Sequence, residues 1–218
     1  MLQKSFFNRD ANHVAIDLLG KHIFHLVDGV WLIAQIIETE SYYYHDRGSH
    51  AWLGKSPSRE ALFMPSGTIY MYFARGGDSL NISCRGDGNA VLIKSAIPIL
   101  LHPRSIQLMQ KNNPKNSGEY RIQEKLCSGQ TLLCKSLGLR VHEWNKQQFH
   151  PDAFYIDKSK YVVKHYIQTT RLGIPSGRDD HLMQRFIDKK FVTLCTKNPL
   201  TMNKPPPFIS KKWTVLES

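Results

Sequence analysis

The sequence predicts a single α+β domain built on antiparallel hairpins, and three observations lead to this fold class. Short runs rich in β-branched and aromatic residues alternate with turn signals, of which Asp28-Gly29 is the strongest. The helical segments between these runs are few and short. No linker, repeat or break in composition divides the 218 residues, so we expect one domain over residues 1–218.

The first half of the chain predicts one capped helix followed by two hairpins. Asp10 can cap the helix and Gly20 can end it. Asp28-Gly29 joins the first two strands, and Arg75-Gly76-Gly77-Asp78 forms the tip of the second hairpin. The predicted elements of this half are a helix at 12–19, a helical turn at 58–62, and strands at 22–27, 30–41, 68–74, 79–84 and 90–97.

The second half of the chain predicts a mixture of helices and strands. Gly138 is the expected stop of one helix. The residues after Asn198 include Pro205-Pro206-Pro207 and predict an extended tail at 198–218. The predicted elements of this half are helices at 103–111, 128–137 and 179–186, and strands at 153–156, 161–172 and 191–195.

The charge balance indicates a polyanionic partner. The 29 Lys and Arg against 18 Asp and Glu give a net charge of +11, and nucleic acid is the first polyanion to consider. An ordinary enzyme that happens to be basic has the same balance. Residues 1–10 carry no long apolar segment, which argues against a signal peptide or a membrane span. We therefore expect an intracellular protein without a membrane partner.

The cysteine pattern argues against a zinc site and against a disulfide scaffold. No C-x-x-C pair is present, and four cysteines are few for a disulfide-stapled chain of this length. We expect four reduced and mostly buried thiols. The four positions are Cys84, Cys127, Cys134 and Cys195.

Two glutamates near the end of the long strand are candidate general bases. Glu38 and Glu40 are two residues apart, so a strand points both to one face. Tyr42 follows two residues later, and Tyr70 and Tyr72 share a face of the second hairpin. Aromatic walls suit stacking on a planar base, and a cationic alkylated base still better, because a π-face attracts a cation. A solvated glutamate and core tyrosines are the alternative interpretation of this pattern.

Eight segments occur in an order that is far more specific than any one of them. They are Leu18-Leu19-Gly20, Ile37-Glu38-Thr39-Glu40-Ser41-Tyr42, Pro65-Ser66-Gly67-Thr68-Ile69-Tyr70-Met71-Tyr72, Leu80-Asn81-Ile82-Ser83, Gly86-Asp87-Gly88-Asn89-Ala90-Val91-Leu92-Ile93, Leu126-Cys127-Ser128-Gly129, Arg171-Leu172-Gly173-Ile174 and Arg185-Phe186. This set, which spans roughly residues 18–193, resembles the alkyladenine (3-methyladenine) DNA glycosylase family.

The resemblance implies roles for particular residues. Glu40 matches the general base of the family. Tyr42 and Tyr72 match the walls that stack on the flipped base, and His50 matches the pocket histidine. Asn81 matches the residue near the pocket floor that disfavours the exocyclic amine of guanine.

Two positions expected near the DNA depart from the family pattern. The hairpin tip carries Arg75, followed by Gly76, where the family commonly has a tyrosine wedge. Lys94 replaces an arginine near the phosphate of the flipped nucleotide, which keeps the charge but loses the bidentate fork. We expect Arg75 to act as the wedge, because a guanidinium can also stack on bases; a simple phosphate contact is the alternative. Arg171 is expected to contact DNA as well.

The resemblance also implies a curved antiparallel sheet with flanking helices and a monofunctional glycosylase of base excision repair. Such an enzyme flips alkylated or deaminated purines out of duplex DNA and excises them hydrolytically, as a monomer and with no metal or cofactor. Two alternatives stay open. One is a non-catalytic nucleic-acid-binding module on the same scaffold, and the other is an unrelated hydrolase of a small acidic substrate.

Overall fold

One open antiparallel sheet organises the residues that the computed structural model describes, which are 1–74, 76–99 and 102–213. Its strands are β1 (His22–Val27), β2 (Val30–Tyr42), β3 (Ile69–Ala74), β4 (Gly77–Ser83), β5 (Ala90–Pro98), β6 (Phe154–Asp157), β7 (His165–Thr169), β8 (Arg185–Asp188) and β9 (Phe208–Lys212). They follow the order β3-β4-β5-β2-β8-β7-β9, and β1 pairs with both β2 and β6.

Short helices complete the fold and confirm the predicted α+β class. The α-helices are α1 (Lys4–Phe7), α2 (Ala11–Leu18), α3 (Pro103–Asn112), α4 (Gln130–Leu137) and α5 (Val141–Trp144). The 3-10 helices are His50–Leu53, Glu60–Phe63, Gln123–Lys125 and Lys189–Leu194. Helices α3 and α4 pack against each other, while α2 packs on β2 and α4 on β4. No helix of the described part of the chain is long and apolar enough to cross a membrane.

The local signals at the N-terminal end act as the sequence predicts. The Asp10 side chain accepts hydrogen bonds from the backbone N–H groups of Asn12 (2.9 Å) and His13 (3.3 Å) and so caps α2. Asp28 and Gly29 have φ angles of +50° and +73°. A type I′ turn requires positive φ at both central positions, so this dipeptide closes the β1–β2 hairpin as predicted.

Strand β2 is the centre of the sheet and carries the candidate general bases. It pairs with β1 and β8 along one edge and with β5 along the other. Every residue from Leu32 to Ser41 is buried, so both faces of the strand are covered. Its last residues, Glu40 to Tyr42, therefore enter the interior of the protein rather than a solvated surface.

The second hairpin is present, but its return strand begins earlier than predicted. The β3–β4 register runs from Ile69 opposite Ile82 to Ala74 opposite Gly77, so β4 starts at Gly77 rather than at Ser79. Gly76 has a φ of +78°, a left-handed conformation that favours glycine at this tip. Arg75, the predicted wedge, lies outside the described residues.

Two elements predicted near the C-terminal end are wrong. The helix predicted at 179–186 is instead a turn followed by β8, whose four residues are all buried between β2 and β7. Pairing on both edges of β8 outweighs the local helical pattern. Residues 191–194 of the strand predicted at 191–195 lie in the 3-10 helix Lys189–Leu194, which Asp188 caps by accepting from the Lys190 N–H at 3.0 Å.

Within the tail predicted at 198–218, Phe208–Lys212 forms strand β9 and joins the sheet, whereas residues 199–204 form turns and bends and residues 214–218 lie outside the described part of the chain. Strand β9 pairs with β7 from His165 opposite Lys212 to Thr169 opposite Phe208. All five residues of β9 are exposed, so backbone pairing rather than side-chain burial holds this strand. The predicted strand at 161–172 shortens to β7. The four cysteines are buried and unpaired by disulfides, as the sequence predicts.

Candidate active site

A pocket opens where the end of β2, the β3–β4 hairpin and the start of α4 meet two loops around residues 48–50 and 172–174. Five of the residues singled out by the resemblance line it together: Tyr42, His50, Tyr72, Asn81 and Lys94. Ala74, Gln130, Leu172 and Gly173 also line it. Residues that are distant in the sequence thus converge on one cavity, called the base pocket below.

Glu40 lies directly beneath the wall of the base pocket and has no exposed surface. Its Oε2 accepts a hydrogen bond from the Tyr42 hydroxyl at 2.7 Å and faces the Lys94 ammonium at 3.4 Å. Its Oε1 accepts from the backbone N–H of Leu172 at 3.2 Å. Each of these three partners lines the base pocket, so the carboxylate is one contact away from anything bound there.

The surroundings of Glu40 keep its carboxyl group ionised. Burial alone raises the pKa of a carboxyl, but Lys94, Arg185 and the bonds from Tyr42 and Leu172 outweigh it and hold the pKa of Glu40 below its ordinary value of 4.5. Near neutral pH the group is therefore an anion. A buried carboxylate with a fixed orientation can accept a proton or stabilise a neighbouring positive charge.

Glu38 belongs to a separate network of bonds. Its Oε1 accepts from the Nε of Arg185 at 2.6 Å, and Ser95 and Thr196 donate to its other oxygen. Both Glu38 and Arg185 are completely buried. With both oxygens engaged by protein groups away from the pocket wall, Glu38 holds β2, β5 and β8 together.

Two opposed irregularities in the β2–β5 ladder place Lys94 beside Glu40. The register pairs Ile36 with Ala96, Glu38 with Ser95 and Thr39 with Ile93, so Ile37 and Lys94 each fall between paired positions. An extra residue in a strand re-aims the side chains near it. The Lys94 side chain is thereby turned to the base pocket, where its ammonium bonds Gln130 Oε1 at 3.0 Å as well as facing Glu40.

Three aromatic rings form the opposite side of the base pocket. The His50 ring lies 4.3 Å from the Tyr72 ring and the Tyr70 ring lies 5.5 Å from it, measured between centroids. His50 Nδ1 and the Tyr70 hydroxyl are 3.0 Å apart. Burial, with a smaller contribution from Arg59, lowers the pKa of His50 below 6.5, so this imidazole is neutral at pH 7.

Asn81 is a buried residue that lines the base pocket, and Leu92 of β5 pairs with both Asn81 and Glu40. Its Nδ2 donates to the backbone carbonyl of Tyr70 at 3.2 Å across the β3–β4 pair. This bond fixes the direction of the amide. A fixed buried amide can discriminate between purines by the groups on their edges.

Arg171 lies behind Tyr42 rather than on the surface. Its guanidinium stacks 4.5 Å from the centroid of the Tyr42 ring and pairs with Asp46 at 2.9 Å. The side chains of Arg171 and Asp46 are almost fully buried. The predicted DNA contact would require Arg171 to leave this ion pair, and the observed contacts instead fix the position of Tyr42.

The sequence reasoning missed three groups that complete the site. Gln130 bridges Lys94 and Ser79, the latter at 2.7 Å. Arg185 influences the pKa of Glu40, and Asp46 anchors Arg171. Gln130 directly follows the matched segment that ends at Gly129, and Arg185 lies within the last matched segment. This proximity to matched segments is the sequence signal that could have indicated these two residues. Within residues 1–74, 76–99 and 102–213, no cluster of three His, Cys, Asp or Glu side chains could hold a metal ion.

Comparison with known proteins agrees with this geometry. A family model described as methylpurine-DNA glycosylase matches residues 5–191. A protein of Pseudomonas syringae pv. tomato, named "Putative 3-methyladenine DNA glycosylase", is 54% identical over 202 residues, which are 91% of each chain. A relative of the same name from Pseudomonas aeruginosa is 52% identical over 91% of this chain and 84% of its own.

A more distant relative extends the comparison. The protein of that name from Clostridium acetobutylicum is 30% identical over 197 residues, which are 85% of this chain and 93% of its own. The family match covers β1 to β8 and every residue that lines the base pocket. The chain therefore belongs to the methylpurine-DNA glycosylase family.

Proposed function

We propose that this protein excises alkylated and deaminated purines from duplex DNA by flipping the nucleotide and hydrolysing its N-glycosidic bond. The observation that carries the proposal is the ionised Glu40 beneath an aromatic pocket, bonded to two groups that line it. The names of the relatives, which refer to 3-methyladenine, agree with a damaged purine as substrate.

The chemistry of the N-glycosidic bond explains why a single carboxylate is enough to catalyse its hydrolysis. Loss of a purine from C1′ leaves a sugar with oxocarbenium character, so the site needs an anion near C1′ and a base that orients water. A carboxylate oxygen has about two lone-pair sites, and Glu40 Oε1 accepts only the Leu172 N–H among the described residues. In this proposal the attacking water bonds to the remaining site on Oε1, and because Glu40 has no exposed surface, the water must enter past the pocket residues that cover it. No lysine nucleophile and no lyase step are involved.

The rings of the base pocket account for recognition of the flipped base. Tyr42 on one side, and Tyr72 with neutral His50 on the other, offer faces on which a purine stacks. A cationic alkylated purine gains further from contact with a π-face. The buried Asn81 reads the purine edge, and an undamaged guanine would bring its exocyclic amine against this fixed amide.

The hairpin tip supplies the group that fills the space left by the flipped nucleotide. Arg75 is the proposed wedge, and this assignment rests on the sequence alone. Gly76 lets the tip approach the DNA backbone closely, since it is exposed and has no side chain. A planar guanidinium stacks less strongly than a tyrosine ring but adds a charge suited to the minor groove.

Substitution of Glu40 tests the proposal. We expect Glu40→Gln to reduce single-turnover base release from alkylated duplexes by roughly 10³-fold or more, because both the base and the anion are lost. Binding of damaged duplex should persist. The matched control is Glu143→Gln on α5, an exposed carboxylate that should behave as the wild type.

A panel of duplexes that each carry one lesion completes the experiment. Base release by the wild-type protein from 3-methyladenine, 7-methylguanine, hypoxanthine or ethenoadenine duplexes is the expected result. Release of none of these bases would contradict the proposal and favour a non-catalytic binding module. Normal turnover by Glu40→Gln would show that the catalytic group has been misassigned.

A further inference from the structure

The β3–β4 hairpin separates the base pocket from a second cavity. Tyr72 and Ala74 line the base pocket, whereas Phe73 between them lines the cavity on the other side. This division follows from the alternation of side chains along a strand. We call the second cavity the back groove; it is lined by Phe73, Asp78, Asn112, Asn116, Lys135 and Arg140, among others.

Phe73 is an exposed aromatic residue beside the hairpin tip. Its side chain is 71% exposed, the highest value among the large hydrophobic residues of the described chain. Strand neighbours Tyr70 and Met71 are almost completely buried. A partner that covers this ring would remove apolar surface from water and so gain free energy.

The charges of the back groove favour an anion. Lys115, Lys135 and Arg140 line it against a single described carboxylate, Asp78. Lys115 is already paired with Glu119 at 2.9 Å. Lys135 and Arg140 are exposed and form no ion pair with any residue that the structure describes. Amide donors of Asn112 and Asn116 lie in the same groove.

We propose that the back groove binds the phosphate backbone of the DNA strand complementary to the lesion. The proposal rests on the proposed function, since it assumes that a base from duplex DNA enters the base pocket. A hairpin tip inserted into a duplex has one strand on each side. The lesion strand lies on the side of Tyr72, because it delivers its base there, so the complementary strand lies on the side of Phe73.

Substitution of two cations of the back groove is the first part of the test. We combine Lys135→Gln with Arg140→Gln in the non-cleaving Glu40→Gln protein and measure binding to lesion duplexes. The double substitution should weaken binding on the order of tenfold and reduce the salt slope by about 2, one for each lost phosphate contact. The matched control is Lys211→Gln with Lys212→Gln on β9, which removes the same charge at the opposite end of the sheet.

Neutral backbone linkages placed in one DNA strand at a time identify the strand that the groove contacts. The effect of the linkages on binding is compared between the parent protein and the groove variant. Methylphosphonate linkages in the complementary strand should weaken binding of the parent protein but cause little further loss in the groove variant. The same linkages in the lesion strand should weaken both proteins alike. Coupling to the lesion strand instead, or a groove variant no weaker than the β9 control, overturns the proposal. Base release by the wild-type protein is measured separately, and its absence would refute the proposed function whatever the groove does.

Discussion

Glu40 and Lys94 are the clearest case in which single residues set the chemistry of this site. Burial raises the pKa of Glu40, and Lys94 is the largest of the influences that lower it. Because the folded pKa lies below 4.5, ionisation of Glu40 contributes stability that is fully present above that value and is lost as the pH falls through the lower folded value. Any activity that requires the ionised carboxylate of Glu40 should be lost over the same range of falling pH.

Replacement of Lys94 by methionine should therefore change the pH dependence. Without the ammonium the pKa of Glu40 rises, so the acid limb of the base-release profile should move to higher pH. Lys94→Arg keeps the charge and should keep the limb near its wild-type position. Single-turnover rates measured across the acid range test this expectation. An acid limb that is unchanged in Lys94→Met would mean that Lys94 does not control the ionisation of Glu40.

Arg171 offers a test that separates structural support from DNA contact. Its ion pair with Asp46 is buried, so Arg171→Ala leaves an unpaired buried charge and should cost about 3–5 kcal/mol of unfolding free energy. Denaturant unfolding measures this loss. The Asp46→Asn/Arg171→Gln double variant removes both charges and should recover part of the stability. A variant that stays stable but loses about one unit of salt slope would instead show a phosphate contact.

Among the elements, β2 and β5 show how an irregular strand pair builds the site. Regular pairing would alternate side chains evenly, but Ile37 and Lys94 fall between the paired positions. The extra residue on each strand offsets the other, so the ladder resumes its register towards Tyr42 and Ala90. The ammonium thereby reaches the side of the sheet on which Glu40 lies.

The elements that the sequence predicts correctly are those with strong local signals. Asp10, Asp28-Gly29 and Gly138 act through their own backbone neighbours, and each has the predicted role. Strand β8 has no such signal, because its conformation depends on pairing with β2 and β7. The same holds for β9, which lies beyond residue 191, where the family match ends. Long-range pairing decides these segments.

At the scale of the whole molecule, the net charge of +11 bears on how the protein meets its substrate. A duplex releases condensed counterions when Lys and Arg neutralise its phosphates, and each contact adds roughly −0.9 to the slope of log affinity against log salt. Several of the cations that could act in this way, Lys135 and Arg140 among them, are exposed and unpaired in the part of the chain described here.

Binding to duplex DNA should therefore weaken steeply as salt is added. Titrations of the Glu40→Gln protein with a lesion duplex at a series of salt concentrations should give a clearly negative log–log slope. An undamaged duplex should show a similar slope at lower affinity, because the phosphate contacts are shared. A flat slope would contradict this expectation and favour a hydrolase that acts on a small acidic substrate.

The sequence by itself determined the fold class, the hairpin turns, the capped helix and five of the residues that line the base pocket. Turns and caps depend on neighbouring residues, so local sequence determines them. Glu40, Tyr42 and Asn81 were identified because they lie within the ordered segments that resemble the family. Only the tertiary structure decided which charges meet. Glu38 and Glu40 look alike along the strand, yet Arg185 engages one and Lys94 the other. Pairings between residues more than fifty positions apart depend on packing, which no local pattern records.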